Sequence, residues 1–340
     1  MKDGILVLNK PQEWTSSDCV AVCRRALGVK GIKKVGHGGT LDPMATGVLP
    51  IFVGQATRIM EYMDLDFKTY VCRAKLGITT DTLDIWGSVI QEKSWQEICR
   101  QQQITGEDIA SALESFRGEI MQLPPRFSAV RINGKRLYEY AYSNREPEVE
   151  VKPRRAYIKS IRLLDADMDA GEFAFEAVCS KGTYIRTICA DLGESLGCGC
   201  TMTGLQRRGV GNIDSAMAKV TADQVKEMSA DALEKLLLPP DYPLVHFGRV
   251  SMPEDRAVFF SRGNSIRWNQ LTVEEECDSR ALMETGKGAG TGKIPENARG
   301  RAYDCIYRVY QRETGEFLGT GYHDRKEKLL KADKVFIEQR

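Results

Sequence analysis

The residues best suited to chemistry gather in one stretch, Val35-Gly36-His37-Gly38-Gly39-Thr40-Leu41-Asp42-Pro43-Met44-Ala45-Thr46-Gly47-Val48-Leu49-Pro50. It holds the close trio Gly36, Gly38 and Gly39, the acid Asp42, and the only histidine of the first 245 residues. Glycines let a backbone turn through positive φ and come close to a ligand. Pro43 disfavours helix at Asp42 and pushes it towards an extended or turn geometry. A carboxylate on such a loop, beside the apolar run Val48–Gly54, is suited to act as a nucleophile or as an acid/base. The same residues also fit a plain Asp-Pro turn. Spacing alone leaves both readings open.

Elements on either side must position that loop. Ile5–Leu8 reads as a strand ending in a Lys10-Pro11 turn. Thr15-Ser16-Ser17-Asp18 offers N-cap chemistry for a helix over Cys19–Leu27, stopped at Gly28. Lys30–Lys34 reads as a basic loop leading into the central stretch. Ala56–Met63 has a helical pattern, and Lys68–Leu76 alternates like a strand. Thr79–Asp84 reads as a polar turn, and Thr105-Gly106-Glu107-Asp108 caps a helix running to Phe116. After Pro124-Pro125, Phe127–Ile132 is strand-like and Asn133-Gly134 predicts a turn, with a short helix over Arg136–Tyr142. Val149–Lys152, Ala156–Asp165 and Glu172–Cys179 read as strands. A turn at Lys181-Gly182-Thr183 leads to a helix over Tyr184–Leu196, and Thr201–Gly209 returns as a strand. These elements do not alternate as βαβ units, so an α+β fold with a mixed, largely antiparallel sheet is expected.

With 340 residues the chain is long enough for about two domains. Leu238-Pro239-Pro240-Asp241-Tyr242-Pro243 reads as a linker, dividing residues 1–240 from a smaller β-rich unit over 244–340. The short runs Ala257–Phe260, Cys305–Gln311 and Phe317–Tyr322 are its expected strands. Gly286–Arg301 is glycine-rich and expected to be mobile. Its Gly286-Lys287-Gly288-Ala289-Gly290-Thr291-Gly292-Lys293 run fails the Walker pattern, because Lys287 and Ile294 occupy the required Gly and Ser/Thr positions.

No apolar run reaches the roughly 18 residues of a membrane span. The N-terminus is too short in its apolar part for a signal peptide. A cytoplasmic protein is expected. The ten cysteines are scattered rather than framed for disulfides, and read as small core residues or free thiols. Cys198/Cys200 and Cys19/Cys23 lack zinc-site spacing, so no metal is expected. A net charge of +1 does not itself argue for nucleic acid. Local charge says more: Lys152, Arg154, Arg155, Lys159 and Arg162 cluster without an acid, and Arg117, Arg126, Arg131, Lys135 and Arg136 face only Glu119. Such segments suit a phosphate backbone, and equally a solvated face.

The central stretch resembles the motif G-H-x-G-x-L-D-P-x-A-x-G-x-L-P of the tRNA pseudouridine synthase B (tRNA pseudouridine-55 synthase) family, bacterial type. Lys181-Gly182-Thr183-Tyr184-Ile185-Arg186 is similar to that family's K-G-T-Y-I-R. Two departures stand out: Gly38 where the family more often has Thr or Ala, and Glu13 in place of a glycine in the K-P-x-G-x-T-S opening that begins at Lys10. The resemblance implies the pseudouridine synthase fold with a PUA-like C-terminal module. It implies isomerisation of a uridine in the T loop of tRNA, with Asp42 as nucleophile and Arg186 as its ion-pair partner. Tyr70 would stack on the base, Tyr184 and Leu205 would line the pocket, and His37 would extrude or hold the nucleotide. Asp84 would help hold the arginine, and Lys10 would play a supporting part. A guanidinium within about 4–6 Å would keep the carboxylate charged in a dry pocket. Residues about 124–152, with the Arg131–Tyr142 region at their centre, would clasp RNA and be mobile without it.

The implied reaction needs no redox step and no nucleotide energy, so no cofactor is expected. The expected partner is the T arm of tRNA, and nothing demands an oligomer, so a monomer is expected. A second class, a catalytically silent tRNA-binding or folding protein, explains the scaffold but gives Asp42 no task. A phosphate-handling enzyme would need the Lys-Ser/Thr or metal ligands that the Gly36–Gly39 loop lacks. A sister synthase working in a guide-RNA complex fits less well, given the compact length and the lack of long basic tails.

Overall fold

The computed structural model describes residues 2–29, 34–143, 150–297 and 299–336. Gly4–Lys10 and Thr46–Val53 are buried at almost every position, as suits strands covered on both faces. They pair antiparallel from Gly4↔Val53 to Lys10↔Gly47, which sets Lys10 beside the loop that carries Asp42. Both belong to a ten-stranded mixed sheet. Its order runs Val220–Thr221, Gly4–Lys10, Thr46–Val53, Cys200–Val210, Lys68–Leu76, Glu172–Cys179, Arg154–Asp167, Gly118–Gln122. Val35–His37 and Ile213–Asp214 attach beside this path. Two pairings are parallel, Val220–Thr221 with Gly4–Lys10 and Thr46–Val53 with Cys200–Val210; the others are antiparallel.

Lys68–Leu76 lies in the middle and alternates, with Lys68, Tyr70, Cys72, Ala74 and Leu76 turned inward. Helix Ile185–Ser195 covers that face through Ile185, Ile188, Cys189 and Leu192. Helix Ser16–Ala26 starts at a capping box between Thr15 and Asp18, as the Ser/Thr/Asp run predicts. All ten cysteines are free, and eight are buried. No helix among the described residues is long and apolar enough to cross a membrane.

A second sheet of six strands follows, ordered Ile266–Arg267, Leu329–Val335, Phe317–Asp324, Ile306–Gln311, Gly248–Met252, Thr272–Glu275. The fold is therefore α+β with a β-rich, PUA-like C-terminal part. The two parts share a core: Ile59, Tyr62 and Met63 pack with Phe247, Tyr303, Ile306 and Phe336.

Several expectations are corrected. Ala257–Phe260 is helical, within Glu254–Ser261. Pro253 and the acids Glu254 and Asp255 suit a helix start, and Ala257 and Phe260 are buried while Val258 and Phe259 are exposed, a helical period rather than a strand's. Residues 150–152 are not strand, and Val149 lies outside the described residues; the strand begins at Arg154, after Pro153, which has no N–H to give a ladder. Of Phe127–Ile132 only Arg131–Ile132 is strand, pairing with Lys135–Arg136 across Asn133-Gly134, both at positive φ. Ala56–Met63 lies in a 3-10 helix, Gly54–Asp64. The predicted turn at Thr79–Asp84 begins in a strand, Ile78–Thr80, paired with Val89–Glu92. The described part of Gly286–Arg301 is not loose: Gly286 N–H donates to Leu65 O at 2.7 Å, and Arg155 donates to Ala289 O at 2.6 Å. The Lys30–Lys34 loop, apart from Lys34, lies outside the described residues.

Candidate active site

Asp42 projects from the loop between Val35–His37 and Thr46–Val53, and its side chain is 39% exposed. The loop is held from several sides. Ser16, at the start of the first helix, accepts from Leu41 N–H at 2.9 Å, and its hydroxyl donates to Leu41 O at 3.1 Å. Lys10, fully buried, donates to the carbonyls of Pro11 at 3.0 Å, Pro43 at 3.2 Å and Ala45 at 2.5 Å. Glu13 N–H donates to Pro43 O at 2.9 Å. Burial lowers the Lys10 ammonium to about 8, so the loop is tied to a cation that folding has stripped of water.

Arg186, on the first turn of helix Ile185–Ser195, is 6% exposed and reaches Asp42 Oδ2 at 2.9 Å. Two further N–H groups are engaged: Nη1 donates to Thr82 O and Nη2 to Phe127 O, each at 2.9 Å. Asp84 Oδ2 lies 3.9 Å from Nη1, while Asp84 Oδ1 accepts from Thr82 Oγ1 at 2.9 Å and Trp86 N–H at 3.1 Å. The guanidinium is thus fixed by two carbonyls and two carboxylates, with one edge turned to the more exposed acid. This is a charge-assisted contact in a defined plane. A half-exposed carboxylate in that position can attack a carbon or stabilise a positive centre.

Tyr70 is 8% exposed and packs in one cluster with Leu41, Met44 and Ala45, with Leu205 against its edge. Burial raises the Tyr70 phenol, and the nearby Arg207 guanidinium partly offsets that rise. Tyr184 precedes Arg186 by two residues; Gln122 brackets its backbone, accepting from its N–H at 3.0 Å and donating to its carbonyl at 3.2 Å. Burial raises the Tyr184 phenol as well. His37 ends the short edge strand opposite Ile51, with its Nδ1 enclosed and unpaired. Burial, then the charge of Arg207, lowers the His37 imidazole.

The structure therefore groups Asp42, Arg186 and Asp84 in direct contact, packs Tyr70 and Leu205 beside the loop, places Tyr184 next to Arg186, and sets Lys10 underneath. His37 sits on the other arm of the loop. Sequence reasoning missed Arg207. It is fully buried, and donates to Val48 O at 2.7 Å, Gly39 O at 3.0 Å and Thr40 O at 3.4 Å. Lys68 was missed too, although a lysine in register with Tyr70, Cys72 and Ala74 on an alternating strand was a readable signal. Gln122 gave no comparable signal.

Comparison with known proteins identifies the chain's relatives. Residues 24–185 match the model of the TruB family pseudouridylate synthase N-terminal domain, and residues 186–245 match that of the tRNA pseudouridylate synthase B C-terminal domain. The chain is 37% identical over 297 residues to tRNA pseudouridine synthase B of Clostridioides difficile (strain 630), covering 86% of this chain and 95% of that protein. It is 36% identical over 312 residues to tRNA pseudouridine synthase B of Escherichia coli (strain K12), covering 87% and 93%. In fold it resembles a chain of the Cbf5-Nop10-Gar1 complex, with TM-score 0.66 and 21% identity over 98% of this chain and 85% of that one.

Proposed function

Because this chain belongs to the TruB family of pseudouridylate synthases, we propose that it isomerises a T-loop uridine of tRNA, at position 55, with Asp42 as the nucleophile. The observation that carries this reading is the 2.9 Å contact between Arg186 and Asp42, with every other guanidinium bond made by groups that fix its orientation. In the reaction the N1–C1′ bond breaks, the uracil turns, and C5 joins C1′; the C5 proton leaves and N1 takes one up, so the product is an isomer. Attack of Asp42 on C1′, attack on the base, and a glycal route all use one positioned carboxylate. Tyr70 would stack on the base, and Leu205 and Tyr184 would keep the detached ring in place while it turns.

A T-loop uridine is folded into the RNA, so it must be flipped out at a cost of a few kcal/mol. His37 would hold or extrude that nucleotide, and residues about 124–152 would clasp the RNA. Residues 1–240 would form the catalytic domain and 244–340 an RNA-binding domain. No cofactor enters the chemistry.

The test is tritium release from a tRNA transcript carrying 5-³H-uridine. Joining C5 to C1′ must expel that label. Wild-type protein should release about one equivalent per tRNA, and none once the T-loop uridine is replaced. Asp42→Asn should abolish release while keeping RNA affinity within about tenfold, since it deletes chemistry rather than phosphate contacts. Tight tRNA binding without release would instead make this a binding protein.

A further inference from the structure

Four cations near the candidate site are each less than a tenth exposed: Lys10, Lys68, Arg186 and Arg207. Lys10 and Arg207 are held by backbone carbonyls, and Arg186 by carbonyls and carboxylates. Lys68 differs. At 7% exposure for the whole residue, its ammonium has neither a hydrogen-bond nor an ion-pair partner among the described residues, and Asp66 and Asp64 act on it only through space. Its Nζ is not enclosed as the His37 Nδ1 is and keeps a contact with solvent, but a charge so largely stripped of water is costly without a partner. Such a group persists where something outside the protein completes it, or where its field serves a neighbour.

Its position decides between these. Lys68 shares the inward face of its strand with Tyr70. Its Cε lies 3.4 Å from where a side chain on Gly39 would begin, with the Arg207 guanidinium beside it at 3.5 Å, and Gly39 has φ +126°. The loop is thus bare at the point where it crosses two buried cations. The adjoining His37 adds an enclosed, unpaired Nδ1. The acid just before the strand, Asp66, already has a partner in His246 Nε2 at 3.0 Å.

We propose that Lys68 is the cationic half of a subsite beneath Gly39 that takes one backbone phosphate of the RNA, next to the flipped uridine. The proposal rests on the RNA-isomerase reading. A phosphodiester supplies the missing negative charge, and the absent side chain at Gly39 lets it approach. Arg207 adds charge from behind while its own donors stay on the loop.

The test is equilibrium binding of a T-arm stem-loop to the full chain in an Asp42→Asn background, so that no turnover occurs. Methylphosphonate, a neutral linkage, replaces in turn each of the two phosphates flanking the target uridine. One replacement should weaken binding by about tenfold or more. Lys68→Met should weaken binding of the unmodified stem-loop to a similar degree and reduce the salt slope of log Kd by about one. It should also be indifferent to the sensitive linkage, whereas Lys68→Arg should keep that sensitivity. In turnover with Asp42 intact, the loss in Lys68→Met should fall mainly on KM. The proposal is overturned if neither linkage matters, a result that needs no variant to fold. It is equally overturned if Lys68→Met keeps wild-type affinity and linkage sensitivity, which would leave Lys68 as a counter-charge for Asp66. Tritium release by the wild type is scored separately: release without linkage sensitivity sinks only this subsite, and absence of release sinks the isomerase reading.

Discussion

Glu13 has a backbone φ of +70°, a left-handed conformation that costs a residue with a Cβ about 1–2 kcal/mol. It is the position where the resembling motif has glycine, and its N–H holds Pro43 O beside Asp42. Replacing Glu13 with Gly should therefore stabilise the protein, by about 1 kcal/mol or less once the added freedom of the unfolded chain is subtracted. A urea midpoint that rises at constant slope would show it, and a lower midpoint would count against it. Lys10 allows a pH test. Its ordinary value is 10.5 and burial lowers it to about 8 in the folded protein. Between those values the unfolded chain binds a proton that the folded one does not, so raising the pH favours folding. The stability difference between wild type and Lys10→Met should be level below about pH 8 and shift in favour of wild type from there towards pH 10.5. Comparing the two proteins cancels the cysteines remote from Lys10, such as Cys179, Cys277 and Cys305, whose raised values act with the opposite sign. A gap that shrinks with pH would mean that Lys10 keeps its proton throughout.

At the scale of elements, the loop around Asp42 is braced by the strand it feeds. A Cβ on Gly38 would lie 2.8 Å from Cε2 of the fully buried Phe52, on strand Thr46–Val53. The glycine at this position is thus matched to a large neighbour. Gly38→Ala should cost about 1–3 kcal/mol by overpacking, and less in a Phe52→Leu background. Additive costs in that double-mutant cycle would show that the two residues are not coupled. The same elements show what the sequence reveals and what it hides. Gly4–Lys10, Thr46–Val53, Lys68–Leu76 and Glu172–Cys179 were legible because burial wrote an apolar run or a period of two into them. The helix over Glu254–Ser261 was misread because the short run Ala257–Phe260 is apolar throughout, and only its flanking Pro253-Glu254-Asp255 carried the helical signal. Asp42, Arg186 and Asp84 were legible as members of local motifs. Their contact was expected only through the family resemblance, since residue spacing alone cannot show a helix and a polar turn distant in sequence meeting one loop. Arg207 was hidden for a related reason: its partners are backbone carbonyls, which leave no mark in residue types.

For the whole molecule, the two sheets are joined by more than the linker at residues 238–243. Tyr62 packs edge-on to Phe247 with centroids 4.8 Å apart, and donates to Asp333 Oδ2 at 2.7 Å. The Asp333 side chain is fully buried, and also pairs with Arg301 at 3.1 Å and Arg299 at 3.3 Å. Removing the second sheet would expose Ile59, Tyr62 and Met63, so neither part retains its full core alone. One cooperative unfolding transition is therefore expected, despite a length at which separate domains often melt separately. The four tryptophans can report it. With 5-fluorotryptophan incorporated, the ¹⁹F signals of Trp95, under the first sheet, and Trp268, on the second, should lose folded intensity at the same urea concentration. Tyr62→Phe should cost about 1–3 kcal/mol of stability and lower that shared midpoint accordingly, because it leaves a buried carboxylate short of a donor. If Trp268 unfolds well before Trp95 in the wild type, the shared core is only a contact between independent units. Coincident loss would instead mean that an RNA contact on the second sheet is felt as stability at the Asp42 loop, since any ligand that binds only the native chain then stabilises both parts together.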